Sequence, residues 1–344
     1  MAPLTRSRAI GNIPNDLMAL YYGQRADAGL IIAEGTSPSP NGLGYPRIPG
    51  IFSKEQIKGW QKITSVVHEK GSKIFLQIMH TGRINHQSNL PEGAIILAPS
   101  AVKAEGKIRI GTGELMDFPV PKEMSLEEVE IAKNEFIQAG INAIEAGFDG
   151  VELHNANGYL LEQFLSPITN TRNDNYGGSI ENRCRFVLEV VDGLAASIGK
   201  EKTGIRLSPY GIAGDMHHYD QIDDTYVYLT KELSKREIVY LHFHNVAALG
   251  VKGVPARTEQ LLRANFKNTF MVCGGLNKNK AEEILKSNTA DLTAFGKPFI
   301  NNPDLVFRFE NDIPLADNLD VNTFYTADEK GYSDYPLANK KATF

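Results

Sequence analysis

Cysteine is scarce: there are two, Cys184 and Cys273, in 344 residues. Two thiols cannot ligate an iron–sulfur cluster or a structural zinc, and they offer no disulfide framework. That usage fits a reducing, cytoplasmic setting. A basic excess is also missing, since 36 Lys and Arg stand against 41 Asp and Glu, a formal net charge of -5. No basic patch or basic helix stands out, so neither nucleic acid nor a membrane surface is an expected partner. No apolar run approaches the roughly 20 residues that a membrane helix needs. The first residues lack the charged-then-apolar pattern of a secretory signal. No Gly-x-Gly-x-x-Gly follows a strand; Gly111-Thr112-Gly113 lacks the third glycine. A dinucleotide fold is therefore not indicated, and any nicotinamide would bind transiently, as a substrate.

What is present is an alternation. Short apolar, β-rich runs fall at 1–4, 30–33, 73–78, 150–153, 203–207, 239–243, 269–273 and 291–295. Helical periodicity fills the intervals at 54–70, 125–146, 182–194, 225–233, 258–264 and 278–286. Ser125-x-x-Glu128 is a capping box that opens the second of these helices. Strand and helix repeating in this way predict an α/β chain, a (β/α)₈ TIM barrel spanning 1–344 as one domain. A doubly wound open sheet is the structural alternative. Residues 91–121, after the third strand, are too long for an ordinary loop and read as a β-hairpin lid. The Tyr-rich tail, 322–344, is expected near the barrel mouth.

Barrel active sites lie at the C-terminal ends of the strands. Polar residues and glycines gather there: Thr5, Glu34, Gly35, Gln77, His154, Arg206, His242, His244, Gly274, Gly275, Gly296 and Lys297. Gly274-Gly275 and Gly296-Lys297 occupy the usual phosphate corner, where glycine N–H groups approach an anion and Lys297 adds a cation. The run His154-Asn155-Ala156-Asn157-Gly158-Tyr159 is the most informative. His and Asn both donate to a single oxygen, and a nearby phenol delivers a proton. That set suits polarisation of a carbonyl or nitro oxygen, with a neighbouring carbon receiving hydride and then a proton.

Taken together, Ala2-Pro3-Leu4-Thr5-Arg6, Ala33-Glu34-Gly35-Thr36, Gly44-Tyr45-Pro46, Gln77-Ile78-Met79-His80, His154 to Tyr159, Asn175 to Arg183, Ile205-Arg206-Leu207-Ser208-Pro209 and Phe295-Gly296-Lys297 resemble the Old Yellow Enzyme family of FMN-dependent ene-reductases. The resemblance implies bound FMN, with NADPH or NADH as reductant in a ping-pong cycle. It implies Pro3, Leu4 and Thr5 beside the flavin ring, and Gly35 and Gln77 at its pyrimidine edge. Arg206 would stabilise the reduced ring, and Gly274, Gly275, Gly296 and Lys297 would hold the phosphate. His154 and Asn157 would bind the substrate oxygen, Tyr159 would protonate the α-carbon, and Met79 and Tyr325 would line the substrate pocket. Expected substrates are enones, enals, maleimides and nitroalkenes, turned over by a monomer or homodimer. Thr5 is the mark of the Thr-type subgroup.

Three departures stand out. Lys297 replaces an Arg, losing a bidentate fork. Met79 replaces a Trp, which predicts a roomier pocket. Met1 falls inside the strand-one motif, so the resemblance implies a floor-plugging segment upstream and lower thermal stability without it. Two competing functions are a flavin-free phosphosugar aldolase or isomerase, with Glu34 as its lone candidate acid, and a flavin barrel impaired by truncation.

Overall fold

In the computed structural model, which describes residues 1–338, seven apolar segments form one parallel sheet in chain order. They are Leu30–Thr36, Lys73–Ile78, Gly150–Asn155, Thr203–Leu207, Tyr240–His244, Thr269–Cys273 and Leu292–Ala294. The expected eighth strand, 1–4, is not a regular strand. Its backbone still bridges the sheet's two ends: Ala2 N–H donates to Phe295 O at 2.9 Å and Ile32 N–H to Met1 O at 3.0 Å. With Met1 N donating to Leu30 O at 2.6 Å there are three such bonds, too few for a ladder, yet they close the ring, and the fold is the (β/α)₈ barrel rather than the open sheet. Residues 339–344 of the expected tail lie outside the described residues.

Helices cover the outer face. Ser53 and Ser125 each close a full capping box on Lys54–Glu69 and Leu126–Glu145. The first buries Ile57, Trp60, Ile63 and Val67; the second buries Val129, Ala132, Phe136, Ala139 and Ala143. These are the stripes that the sequence periodicity marks. Asp16–Gly23 is a helix that the periodicity does not reveal, because it buries Met18, Ala19, Tyr21 and Tyr22 and shows little polar contrast.

Inside the barrel, Ala2, Ile32, Phe75, Tyr240, Met271, Cys273 and Ala294 pack together. Strand register sets a polar layer toward the mouth. Gln77 stands opposite Glu152, His154 opposite Arg206, and Arg206 opposite His242. Period-two alternation sends all of these side chains inward.

Two further segments shape the mouth. Lys107–Arg109 pairs antiparallel with Leu115–Asp117, and Ile108 and Phe118 pack with Ile84 against Tyr45 and Tyr159. The tail is tied down by arginines near the other end of the chain. Arg6 Nη2 donates to Gly331 O at 2.6 Å, while Arg8 donates to Phe324 O at 2.7 Å and to Thr323 O at 2.8 Å. Tyr332 stacks on Tyr21 with ring centroids 4.0 Å apart. Arg47 Nη2 donates to Tyr325 O at 2.8 Å, which brings that tyrosine to the mouth.

Candidate active site

The strand Gly150–Asn155 ends in a tight turn. Asn157 (φ 59°) and Gly158 (φ 78°) both sit in the left-handed region. A Cβ on Gly158 would lie 2.4 Å from Ala213 O, so only glycine fits. The turn hangs on the buried Glu162. Its Oε2 accepts from Gly158 N–H at 2.6 Å, and its Oε1 accepts from Ser208 Oγ at 3.0 Å and Tyr226 OH at 2.5 Å. Ser208 Oγ in turn accepts from Asn157 N–H at 2.9 Å.

Burial outweighs those three donors and pushes the Glu162 carboxyl up to about 7. The folded value therefore exceeds the unfolded one. The stability this group contributes is fully present below about pH 4.3 and is lost as pH rises through about 7. The loss is on the order of 3 kcal/mol. The melting temperature of Glu162→Gln should fall less steeply than wild type across that window. Equal slopes would assign the dependence elsewhere; Glu34, also raised to about 7 by burial, contributes in the same direction in both proteins.

Three side chains from the turn converge. The His154 ring is buried, and burial, then the charge of Arg206, holds its pKa far below the ordinary histidine value, so it stays neutral. Its Nδ1 has no partner among the described residues. Asn157 Oδ1 lies 3.2 Å from His244 Nδ1. Burial and Arg206 bring His244 down to about 2, so a neutral ring donates to that oxygen and the Asn157 amide hydrogens stay free to donate. Tyr159 lies edge-on to His154 with centroids 4.8 Å apart. Its hydroxyl donates to Tyr45 OH at 3.2 Å, and burial raises its pKa, keeping the phenol protonated.

These groups face two adjoining cavities. One, of about 680 Å³, is lined by Gly274, Gly275 and Gly296; the other, of about 750 Å³, by Thr5, Gln77, His154, Tyr159 and Tyr325. Pro3, Leu4, Asn157, Arg206 and Lys297 line both, so the two form one elongated space. The expected Met79, Gly35 and Glu34 are not on its walls. Met79 is 1 % exposed and packs with Leu43 and Ile48. Its sulfur takes the space above Gly35, where a Cβ would lie 2.6 Å from it, and so covers that glycine too. Glu34, the acid of the competing aldolase reading, is buried away from both cavities, accepting from Tyr22 OH at 3.2 Å and Arg6 N–H at 3.3 Å. Tyr45, Glu162 and Cys273 belong to the site region but have no role there on the sequence alone, although Tyr45 lies in Gly44-Tyr45-Pro46; His244, marked only as a strand-end residue, joins them.

The elongated space suits FMN. Arg206 is 7 % exposed; among the described residues its Nε has no partner and its one acceptor is Cys273 Sγ at 3.4 Å. A buried cation so placed calls for an anionic ligand. Gly274 (φ 112°) and Gly275 (φ 61°) leave backbone exposed at the far end. A Cβ on Gly274 would lie 2.6 Å from Asn245 O. Gly274→Ala should therefore lower the flavin content of the purified protein and its melting temperature together; full flavin occupancy would remove the cradle from that end.

The profile of the NADH:flavin oxidoreductase / NADH oxidase family matches residues 1–316. The chain belongs to that family. 12-Oxophytodienoate reductase 1 of Oryza sativa subsp. japonica is 41% identical over 342 residues, covering 98% of this chain and 88% of that protein. 12-Oxophytodienoate reductase 2 of Arabidopsis thaliana is 39% identical over 347 residues, covering 99% of this chain and 92% of its own. Among solved structures, morphinone reductase in complex with tetrahydroNAD superposes with a TM-score of 0.93 at 42% identity, covering 99% of this chain and 93% of that one. The old yellow enzyme homologue from Zymomonas mobilis gives 0.93 at 39% identity, covering 98% and 94%. This Old Yellow Enzyme relative is thus a flavin-dependent, NAD(P)H-linked oxidoreductase on an α/β barrel, with FMN as its cofactor. No helix among the described residues is long and apolar enough to cross a membrane.

Proposed function

We propose that the enzyme reduces activated C=C bonds, such as those of enones, enals, maleimides and nitroalkenes. The observation that carries this is a neutral imidazole, a free amide and a protonated phenol facing one cavity. His154 and Asn157 donate to the carbonyl or nitro oxygen and withdraw electron density from the alkene. Bound FMN, reduced by NADPH or NADH, supplies the hydride chemistry at the β-carbon. Tyr159 delivers a proton to the α-carbon, and Tyr45 supports the phenol through its hydroxyl. Pro3, Leu4, Thr5 and Gln77 flank the ring, and Gly274, Gly275, Gly296 and Lys297 hold the phosphate. Lys297 is exposed and supplies a point charge rather than a fork. Gly35 lies behind Met79 and contributes space for its sulfur rather than a contact. Tyr325, 57 % exposed, forms the rim where substrate enters, beneath the 91–121 lid.

The test is the visible spectrum of the purified protein under anaerobic NADPH and then cyclohexenone. Bleaching followed by recolouring establishes the cycle. A flavin that bleaches and never recolours with any activated alkene overturns the substrate class. A protein that stays colourless after incubation with FMN overturns the assignment of these residues.

A further inference from the structure

Beneath the wall that the two cavities share, four ionisable side chains form a buried chain. Glu152 Oε2 lies 2.8 Å from His242 Nδ1, and Glu152 Oε1 accepts from Gln77 Nε2 at 2.8 Å. His242 stands opposite Met271 on the neighbouring strand, two residues before Cys273, and its charge acts on the thiol without a hydrogen bond between them. Cys273 Sγ accepts from Arg206 Nη2 at 3.4 Å. Glu152 and His242 are fully buried, Cys273 is 3 % exposed and Arg206 7 %. Of the four, Arg206 and Cys273 reach the cavity wall. No carboxylate pairs with Arg206 among the described residues, and the sulfur is its one hydrogen-bond acceptor among them.

We infer that Cys273 is the titratable counter-ion of Arg206, and that its proton sets how much positive charge the cavity offers to a bound ring. The inference rests on the proposed placement of FMN beside Arg206. Burial favours the thiol, but His242 and Arg206 favour the thiolate more and bring Cys273 down to about 7. Burial also opposes the His242 cation, yet Cys273 and Glu152 outweigh it and lift that ring to about 9. Of Cys273 and His242, therefore, Cys273 is the one that loses its proton first as pH rises.

The charge count follows. With a thiol, His242 keeps Glu152 as its partner at 2.8 Å and Arg206 is left without a negative partner. With a thiolate, the quartet is neutral. The other groups facing Cys273 leave this balance alone. Burial keeps the Tyr240 phenol protonated, and His154 and His244 are neutral. Lys297 and Asp317, at the cavity wall, are exposed and screened by solvent. A flavin gains negative charge on reduction, so an unbalanced Arg206 makes reduction easier, and the thiolate form takes part of that help away.

The experiment compares the midpoint potential of the flavoprotein with that of Cys273→Ser, from about pH 5 to about pH 9. The two curves should coincide in acid and separate above neutrality, with the variant more easily reduced. A roughly tenfold difference in the reduction equilibrium is expected, about 30 mV for a two-electron couple. Cys273→Ala should behave as the serine variant does, which separates charge from hydrogen bonding. Parallel curves across the whole range overturn the inference. The ultraviolet thiolate absorbance, wild type minus variant, reads the same titration without flavin. Cys184 is fully buried and raised to about 12, so it adds no step. A thiolate step near neutrality together with parallel potential curves would sink the cofactor placement while sparing the Arg206–Cys273 pair. Absence of that step sinks the pair itself.

Discussion

Tyr159→Phe is expected to slow alkene reduction by about 10²–10⁴-fold, the usual worth of a positioned general acid, while reduction of the flavin by NADPH proceeds near its original rate. The separation follows from what the hydroxyl does. Hydride arrival from a nicotinamide needs no proton at the α-carbon of an alkene, so that half of the cycle does not call on the phenol. The substitution is mild for the scaffold. The ring keeps its edge-on packing against His154 at 4.8 Å, and the lost hydrogen bond is a single one, to Tyr45 at 3.2 Å. Tyr45→Phe serves as the control: it removes the same bond but leaves the donor. Stopped-flow measurement of each half-reaction decides the matter. Equal losses in both would show that the ring shapes the cavity and does not supply the proton.

The second large effect concerns the substrate oxygen. Removing one preorganised donor typically costs about 10²–10³ in kcat. His154→Ala with Asn157→Ala removes both, and should also weaken the binding of phenols, which mimic the polarised oxygen. The variant His244→Ala probes the same function from behind. It leaves both donors in place but frees the Asn157 amide that His244 holds at 3.2 Å, so a smaller loss is expected, with flavin content intact. Phenol titration followed by the flavin spectrum measures all three proteins. Unchanged phenol affinity in the double variant would remove both residues from the oxygen site.

Much of the barrel is legible in the chain. Lys73–Ile78, Thr203–Leu207 and Thr269–Cys273 are apolar runs with sharp polar boundaries, and their observed ends are the expected ones. The segments 239–243 and 291–295 are blurred, because Val239 and Asp291 belong to the approaches: each bonds to a neighbouring strand before the ladder begins. Residues 1–4 have strand composition but too few backbone partners to register as a strand. The helix Leu160–Leu165 is hidden by the motif that precedes it.

The site divides along the same line. His154, Asn157 and Tyr159 lie on one turn, so local sequence displays them together. Tyr45, His244 and Cys273 come from separate segments and meet only through strand register and loop packing. Glu162 looks in the sequence like one more polar residue after a motif; its importance lies in three donors from residues as distant as Tyr226. Met79 shows the opposite error. Its place two residues after Gln77 suggests a cavity wall, but the strand ends at Ile78 and the flexible side chain folds back onto Gly35.

The tail that carries Tyr325 has a consequence for biogenesis. Arg6 and Arg8 hold carbonyls more than 300 positions away, at Thr323, Phe324 and Gly331. Closing so long a loop is entropically unfavourable, and on a ribosome it cannot begin until the chain has emerged past Thr323. The rim of the pocket is therefore assembled last. A nascent chain would expose an unfinished flavin bed for most of its synthesis, and limited proteolysis near Tyr325 should open the mouth well before the barrel itself yields.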